Sequence, residues 1–375
     1  MNISWSPGMR DSGIVGLGAL LQRPEWRNSS AGPDITAAVT AALDDDSPLV
    51  RLHAARRISA LYAGSSAAEL AATIGRRALT ETDRAVRVEL IDQLGAALHD
   101  GASAVDSILE LLLETETGFL KDVSDDLGTA TMALLTYLAC VPQTPFAVRA
   151  IHRWCEQAPH HPTTAAAFVR HGRDYLKSHG KTEQKMAFRL LNLAAQSCLA
   201  RWTADPAEHL SDADLTPEQL AQLRGAVEVT HEISQQIYFA SDAFEHSQGH
   251  ESVPLTMLKD FAALAFPVLL TCTKLREAQT IHHAVETLVY LAGLDESRAL
   301  RAVADAIPAK SSYNYDPQAG RLAADYLTRL LTEQRALILE DSHGVDAFRH
   351  LLQTFAAAGD QQALAMAYTF ADIFR

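Results

Sequence analysis

The stretch DDDSPLVRLHAARRISALY, residues 44–62, decides the fold, because its three aspartates are either an acid cluster for chemistry or the entrance to a helix. Ser47 precedes Pro48, and proline at the first helical position after a serine cap is a helix-start signature: the ring presets φ, and its missing N–H would have had no partner there. Asp44, Asp45 and Asp46 then stand at the positive end of a helix dipole. Leu49, Val50, Leu52, Ala55, Ile58, Ser59 and Leu61 follow at an approximate 3.6-residue spacing. The aspartates therefore read as a helix entrance.

The same construction returns 36 residues later in TETDRAVRVELIDQLGAAL, residues 80–98, with Asp83 where Ser47 stood and Val86-Arg87 where Val50-Arg51 stood. Each copy follows an amphipathic helix of its own, DITAAVTAAL at 34–43 and AAELAATIGRRALT at 67–80. Two antiparallel helices per unit at such a period predict an all-α fold built as an α-solenoid.

An acidic or polar loop followed by a Val-Arg pair that opens the second helix of a hairpin resembles the HEAT-repeat (armadillo-like) family. In that family a loop acid and a helix arginine stack as a ladder between repeats. The resemblance implies that Arg51, Asp83 and Arg87 are structural residues of such a ladder, with Ser47 departing from the pattern in the first copy. It spans residues 34–100. A third unit, ASAVDSILELLLE with VSDDLGTATMALLTYLA, lacks the Val-Arg pair.

The chain divides, on this reading, into a lead-in at 1–33, a HEAT-like solenoid at 34–202, a polar linker at 203–219 and a helical C-terminal domain at 220–375. Thr216-Pro217-Glu218 opens a long helix of that last part, and Pro267 is expected to kink another. The ending ALAMAYTFADIFR reads as helix to the last residue. This half resembles the helical C-terminal regions of large bacterial signal-transduction ATPases, which would place the chain in a multi-protein system. The opening MNISWSPGMRDSG lacks the capping helix that begins such arrays, so the chain reads as a piece of something larger.

Composition agrees with packed helices: 48% of residues are hydrophobic, only 7% aromatic and 21% charged. A net charge of −14 disfavours nucleic acid, since Lys and Arg supply most affinity for phosphate. Cys140, Cys155, Cys198 and Cys272 form no C-x-x-C pair, so neither a zinc knuckle nor a disulfide framework is expected, and the cytoplasm is the expected compartment. GIVGLGALL is flanked by Asp11 and by QRPEW, against a secretion signal, and FAALAFPVLL is too short to span a bilayer, so no membrane contact is expected.

Motifs for chemistry fail one by one. HGKT, residues 179–182, ends like a phosphate-binding loop, but Tyr175 stands where its leading glycine belongs. HEISQ, from His231, has Gln235 in place of the second zinc histidine. Asp242, Glu245, His246 and His250 form the densest ligand-like cluster and are a weak metal candidate; a solvated loop is the alternative. No catalytic residue and no cofactor is expected.

One asymmetry stands out. Arg149, Arg153, Arg170, Arg173, Lys177, Lys181, Lys185 and Arg189 face only Glu156, Asp174 and Glu183 over residues 149–189. Arg170, Arg173, Lys177 and Lys181 share one face if a single helix carries them. The expected function is a non-catalytic scaffold, adaptor or regulatory subunit with a protein partner. The competing expectation is a HEAT-like nucleic-acid-binding protein or DNA glycosylase that uses this basic strip.

Overall fold

A computed structural model describes residues 8–63, 65–115, 126–178, 181–200, 202, 215–251, 253–307, 317–339, 341–357, 359 and 361–369. Among these residues every regular element is a helix and none is a strand, so the protein is all-α. The chain forms two compact units, Met1–Arg149 and Ala150–Arg375.

The first unit begins with α1 (Met9–Leu21), a short α2 (Pro24–Arg27), α3 (Gly32–Ala42), α4 (Pro48–Ala55) and α5 (Ile58–Leu61). Then come α6 (Ala67–Thr80), α7 (Arg84–Leu94), α8 (Leu98–Thr115), α9 (Asp126–Cys140) and α10 (Pro145–Glu156), within which the boundary between the units falls. Helices α3 and α4, α6 and α7, and α8 and α9 pack as pairs. The pairs also meet in order, because α6 lies against α8, α4 against α7, and α7 against α9. The pair α8/α9 takes its place without a Val-Arg signature.

Local sequence explains these helices. Ser66 caps α6 reciprocally with Glu69, each side chain taking the other's backbone N–H at 3.3 and 3.0 Å. The α6 positions Leu70, Ala71, Ile74, Gly75 and Ala78 are buried on one stripe. A Cβ at Gly75 would lie 2.6 Å from Ile108 of α8, so the missing side chain allows the two helices to approach. On α7, Val86, Leu90, Ile91 and Leu94 are buried, and each large aliphatic contributes roughly 1.5–3 kcal/mol.

Two expectations change here. The helix read through residues 48–61 breaks at Arg57, whose φ of −114° and ψ of 4° leave the helical region. The lead-in carries a helix after all: α1 buries Ile14 and Leu21 and packs on α3 and α4, a face hidden in the sequence by its glycines.

The second unit continues with α11 (Pro162–Leu176), α12 (Thr182–Leu199), α13 (Pro217–Ala240), α14 (Ala243–Ser247), α15 (Lys259–Thr273) and α16 (Ala278–Tyr290). It closes with α17 (Glu296–Ala306), α18 (Pro317–Glu333), α19 (Arg335–Leu339), α20 (Ser342–Ala357) and α21 (Gln361–Thr369). Helices α11, α13, α16 and α18 meet in succession, and so do α12, α15, α17 and α20, which gives two layers. Phe188 of α12 and Phe261 of α15 meet edge to face at 5.2 Å inside the second layer. Thr216 caps α13 with Gln219, and Pro217 takes the first helical position, as the sequence indicates. A Cβ on Gly225 would sit 2.6 Å from the carbonyl oxygen of Pro159, so α13 depends on glycine at that crossing.

Most of the stretch read as a linker, residues 203–214, lies outside the described residues, and α12 before it packs on α13 after it. Residues 370–375 of the apolar ending lie outside them too. Helix α15 continues through Pro267. The stretch Leu255–Thr273 is long and apolar enough to cross a membrane by length and composition, and its α15 part packs on α12, α13, α16 and α17.

Candidate functional site

Two aspartates of the opening stretch, Asp44 and Asp45, are tied up in joining helices. Asp45 accepts the backbone N–H of Ser47 at 2.8 Å and pairs with Arg10 of α1 at 2.9 Å. One repeat later, Glu81 accepts the N–H of Asp83 at 2.8 Å and takes a two-pronged contact from Arg51, 3.0 Å from Nε and 2.9 Å from Nη2. Arg51 also donates Nη1 to the carbonyls of Asp45 and Asp46 at 2.7 and 3.1 Å. The acid that meets Arg51 is thus Glu81, while Asp83 caps α7 through the N–H of Val86 at 3.1 Å. Arg87 is half-buried on α7. Burial raises the Glu81 carboxyl, but the Arg51 guanidinium and the N–H groups of Asp83 and Thr82 outweigh it and hold the group below its usual range.

Asp44 pairs with Arg77 at 2.9 Å, so Asp44 and Asp45 each hold a cation from another helix. A polar cleft of about 360 Å³ lies here, lined by Asp45, Arg51, Arg77, Thr80 and Glu81 among others. Each of these acids already has an arginine, which makes the cleft a seam between helices.

The basic strip is divided. Arg149 belongs to the first unit and pairs with Glu110 at 3.0 Å. In the second unit Arg170 of α11 pairs with Glu232 of α13 at 3.0 Å, and Lys177 with Asp242 at 3.4 Å. Helix α11 ends at Leu176, and Lys181, in extended conformation, caps α12, so Lys181 does not share the face of Arg170, Arg173 and Lys177. Arg153, Arg173, Lys181, Lys185 and Arg189 are exposed and meet no carboxylate among the described residues. Burial, and secondarily Arg170, pushes the pKa of His171 down within this region.

Of the HGKT residues, His179 and Gly180 lie outside the described residues, and α11 stands where a phosphate loop needs a strand. The 241–251 cluster is dispersed by its own contacts. Asp242, at a left-handed φ of 66°, accepts from Lys177 and from the N–H of Val253. His250 Nδ1 lies 2.8 Å from Glu245, and the ring of His246 lies 5.1 Å from that of Tyr290. Among the described residues no three His, Cys, Asp or Glu side chains converge as a metal site. All four cysteines are buried and none is in a disulfide.

Sequence reasoning missed one gathering. His231 of α13 lies 5.5 Å from His283 of α16, His282 lies 5.6 Å from His283, and Tyr238 stacks on His283 at 5.1 Å. Glu277 stands 3.7 Å from His231 and Glu286 stands 3.4 Å from His282. Burial is the main cause that pushes the Tyr238 hydroxyl up to about 12, Ser247 opposes it, and Glu286 adds to it. The His282-His283 pair was the available signal, but its meeting with His231 depends on how α13 and α16 are placed side by side.

No protein-family model matches the chain, and no curated protein matches it.

Proposed function

We propose that the protein is a non-catalytic scaffold, adaptor or regulatory subunit, acting in the cytoplasm, whose helical-hairpin units form HEAT-like solenoids and hold a protein partner on an exposed face. The observation that carries this reading is the order of packing. In the first unit α4, α7 and α9 meet in succession and α6 meets α8, and in the second α11, α13, α16 and α18 meet in succession beside α12, α15, α17 and α20, the kind of like-on-like stacking by which solenoids make extended binding surfaces. The repeated joint supports it: Asp45 and Glu81, 36 residues apart, each accept the N–H two residues on and each take an arginine from a preceding helix.

The partner-facing candidates are the exposed cations of the second unit, Arg153, Arg173, Lys181, Lys185 and Arg189. A place within a bacterial multi-protein system of the defence type belongs to the same proposal, by the resemblance of the C-terminal half. The test is affinity capture of partners by the full chain from its native lysate. A protein recovered in fixed ratio supports the reading, and recovery of nucleic acid alone defeats it.

A further inference from the structure

Helix α12 is sharply two-sided. Gln184, Ala187, Phe188, Leu190, Leu191, Ala194, Ala195, Cys198 and Leu199 are buried, and the helix packs on α11, α13 and α15. Its outward stripe is Lys181, Lys185, Arg189 and Gln196, with Asn192 half-exposed between the last two. A step of four residues keeps Lys185 and Arg189 on one face, with about 6 Å of rise between them, and exposed Lys181, the extended N-cap residue, leads into the helix four residues before Lys185.

No carboxylate stands on that stripe. Glu183, half-buried, is turned away from it by helical geometry. The cations of α11 differ, since Arg170 and Lys177 are already neutralised by Glu232 and Asp242. The chain carries 46 acidic residues against 32 basic ones, yet three cations in a row on α12 meet none of those acids among the described residues.

We propose that this stripe of α12 is the docking surface for an acidic segment of a partner protein, with Asp or Glu side chains one helical turn apart meeting Lys181, Lys185 and Arg189. The inference rests on the scaffold reading and names the partner's chemistry. Charge complementarity favours a short acidic segment over a duplex. Duplex affinity grows with the number of phosphates neutralised, and a duplex long enough to offer many of them would lie along a molecule of net charge −14. A segment of two or three turns touches only the stripe.

Fluorescence anisotropy tests this with labelled poly-L-glutamate and, separately, a labelled 20-base-pair duplex, each titrated with the full chain at low and physiological salt. The expected result is poly-L-glutamate binding that weakens with salt and falls roughly tenfold or more in K181E/K185E/R189E, since three exposed ion pairs are lost and reversed. The neutral variant K181Q/K185Q/R189Q, with circular dichroism on both, guards against a folding defect and should lose less. No binding of poly-L-glutamate, or equal binding by the reversed variant, overturns the proposal. So does tighter binding of the duplex that the variant abolishes. If the native partner is captured equally by wild type and by the reversed variant, the α12 assignment falls and the scaffold reading stands. If poly-L-glutamate binding is lost in the variant while no partner is captured from lysate, the scaffold reading falls and the acidic-segment site stands.

Discussion

Replacing Glu81 with alanine removes the acid from the joint between the hairpins α3/α4 and α6/α7. Its side chain is 10% exposed and that of Arg51 17%, so solvent screens the pair only partly. Three contacts disappear: the two prongs from Arg51 at 2.9 and 3.0 Å and the N–H of Asp83 at 2.8 Å. Arg51 keeps its donation to the carbonyls of Asp45 and Asp46, which limits the cost of leaving its charge unpaired. A hydrogen bond to a charged group is worth about 1.5–3 kcal/mol, and a fully buried pair costs about 3–5 kcal/mol to break, so we expect a loss of about 2–3 kcal/mol. In a unit of this size that corresponds to about 4–12 °C of melting temperature. Glu81→Gln should cost less, because an amide oxygen can still accept one prong. The folded-state pKa of Glu81 lies below the ordinary 4.5, so its contribution is present above that value and lost as pH falls through the folded value. The assay is urea unfolding of wild type, E81A, R51A and the double variant at pH 7. A coupling energy of about 1 kcal/mol or more is expected. Coupling near zero, or E81A within about 0.5 kcal/mol of wild type, would refute the Arg51–Glu81 joint as a source of stability.

Further outcomes follow from other contacts. Buried Asp106 of α8 accepts from Thr144 Oγ1 at 2.8 Å and from the N–H groups of Ala147 and Phe146 at 2.9 and 3.0 Å, so Asp106→Ala should cost about 3–5 kcal/mol, and a loss below about 1 kcal/mol in denaturant melts would contradict this. Gly225→Ala presses a methyl carbon against the Pro159 carbonyl at 2.6 Å and should lower stability by about 1–3 kcal/mol, measured by calorimetry. Lys185→Glu removes a cation from the positive end of α12 and a like charge four residues from both Lys181 and Arg189, so it should raise stability by about 0.5–1 kcal/mol at low salt, and a lowered melting temperature would contradict that. His53, His161 and His171 have pKa values pushed below 6.5, each mainly by burial. The unfolded chain binds more protons there, so stability should fall as pH drops below about 6.5. The drop should shrink in His171→Phe, and equal pH profiles would refute its share.

The parts of this protein legible in its sequence were those fixed by local rules. Ser47-Pro48 and Thr216-Pro217 begin helices because capping and the proline ring act within a few residues, and the 36-residue spacing showed the paired construction. The correct acid for Arg51 was harder. Asp83 occupies the repeat position but spends its side chain on its own helix, leaving Glu81 for the arginine of the neighbour. Helix α1 was hidden because Gly13 and Gly16 dilute its apolar face, and its partners lie on α3 and α4, farther along the chain. The basic strip was legible as a run of charge, but its division between α11 and α12 depended on the chain turning after Lys177. The His231, His282 and His283 gathering depended on side-by-side helix placement, which no local pattern encodes.

The proposed role is to hold another protein. Its most direct measurement is capture from the native lysate followed by size-exclusion chromatography with light scattering and mass spectrometry of the eluted peak. One protein should co-elute at a fixed molar ratio, be released as salt is raised and be absent when K181E/K185E/R189E is the bait. A chain that elutes alone, or with nucleic acid and no protein, would contradict it.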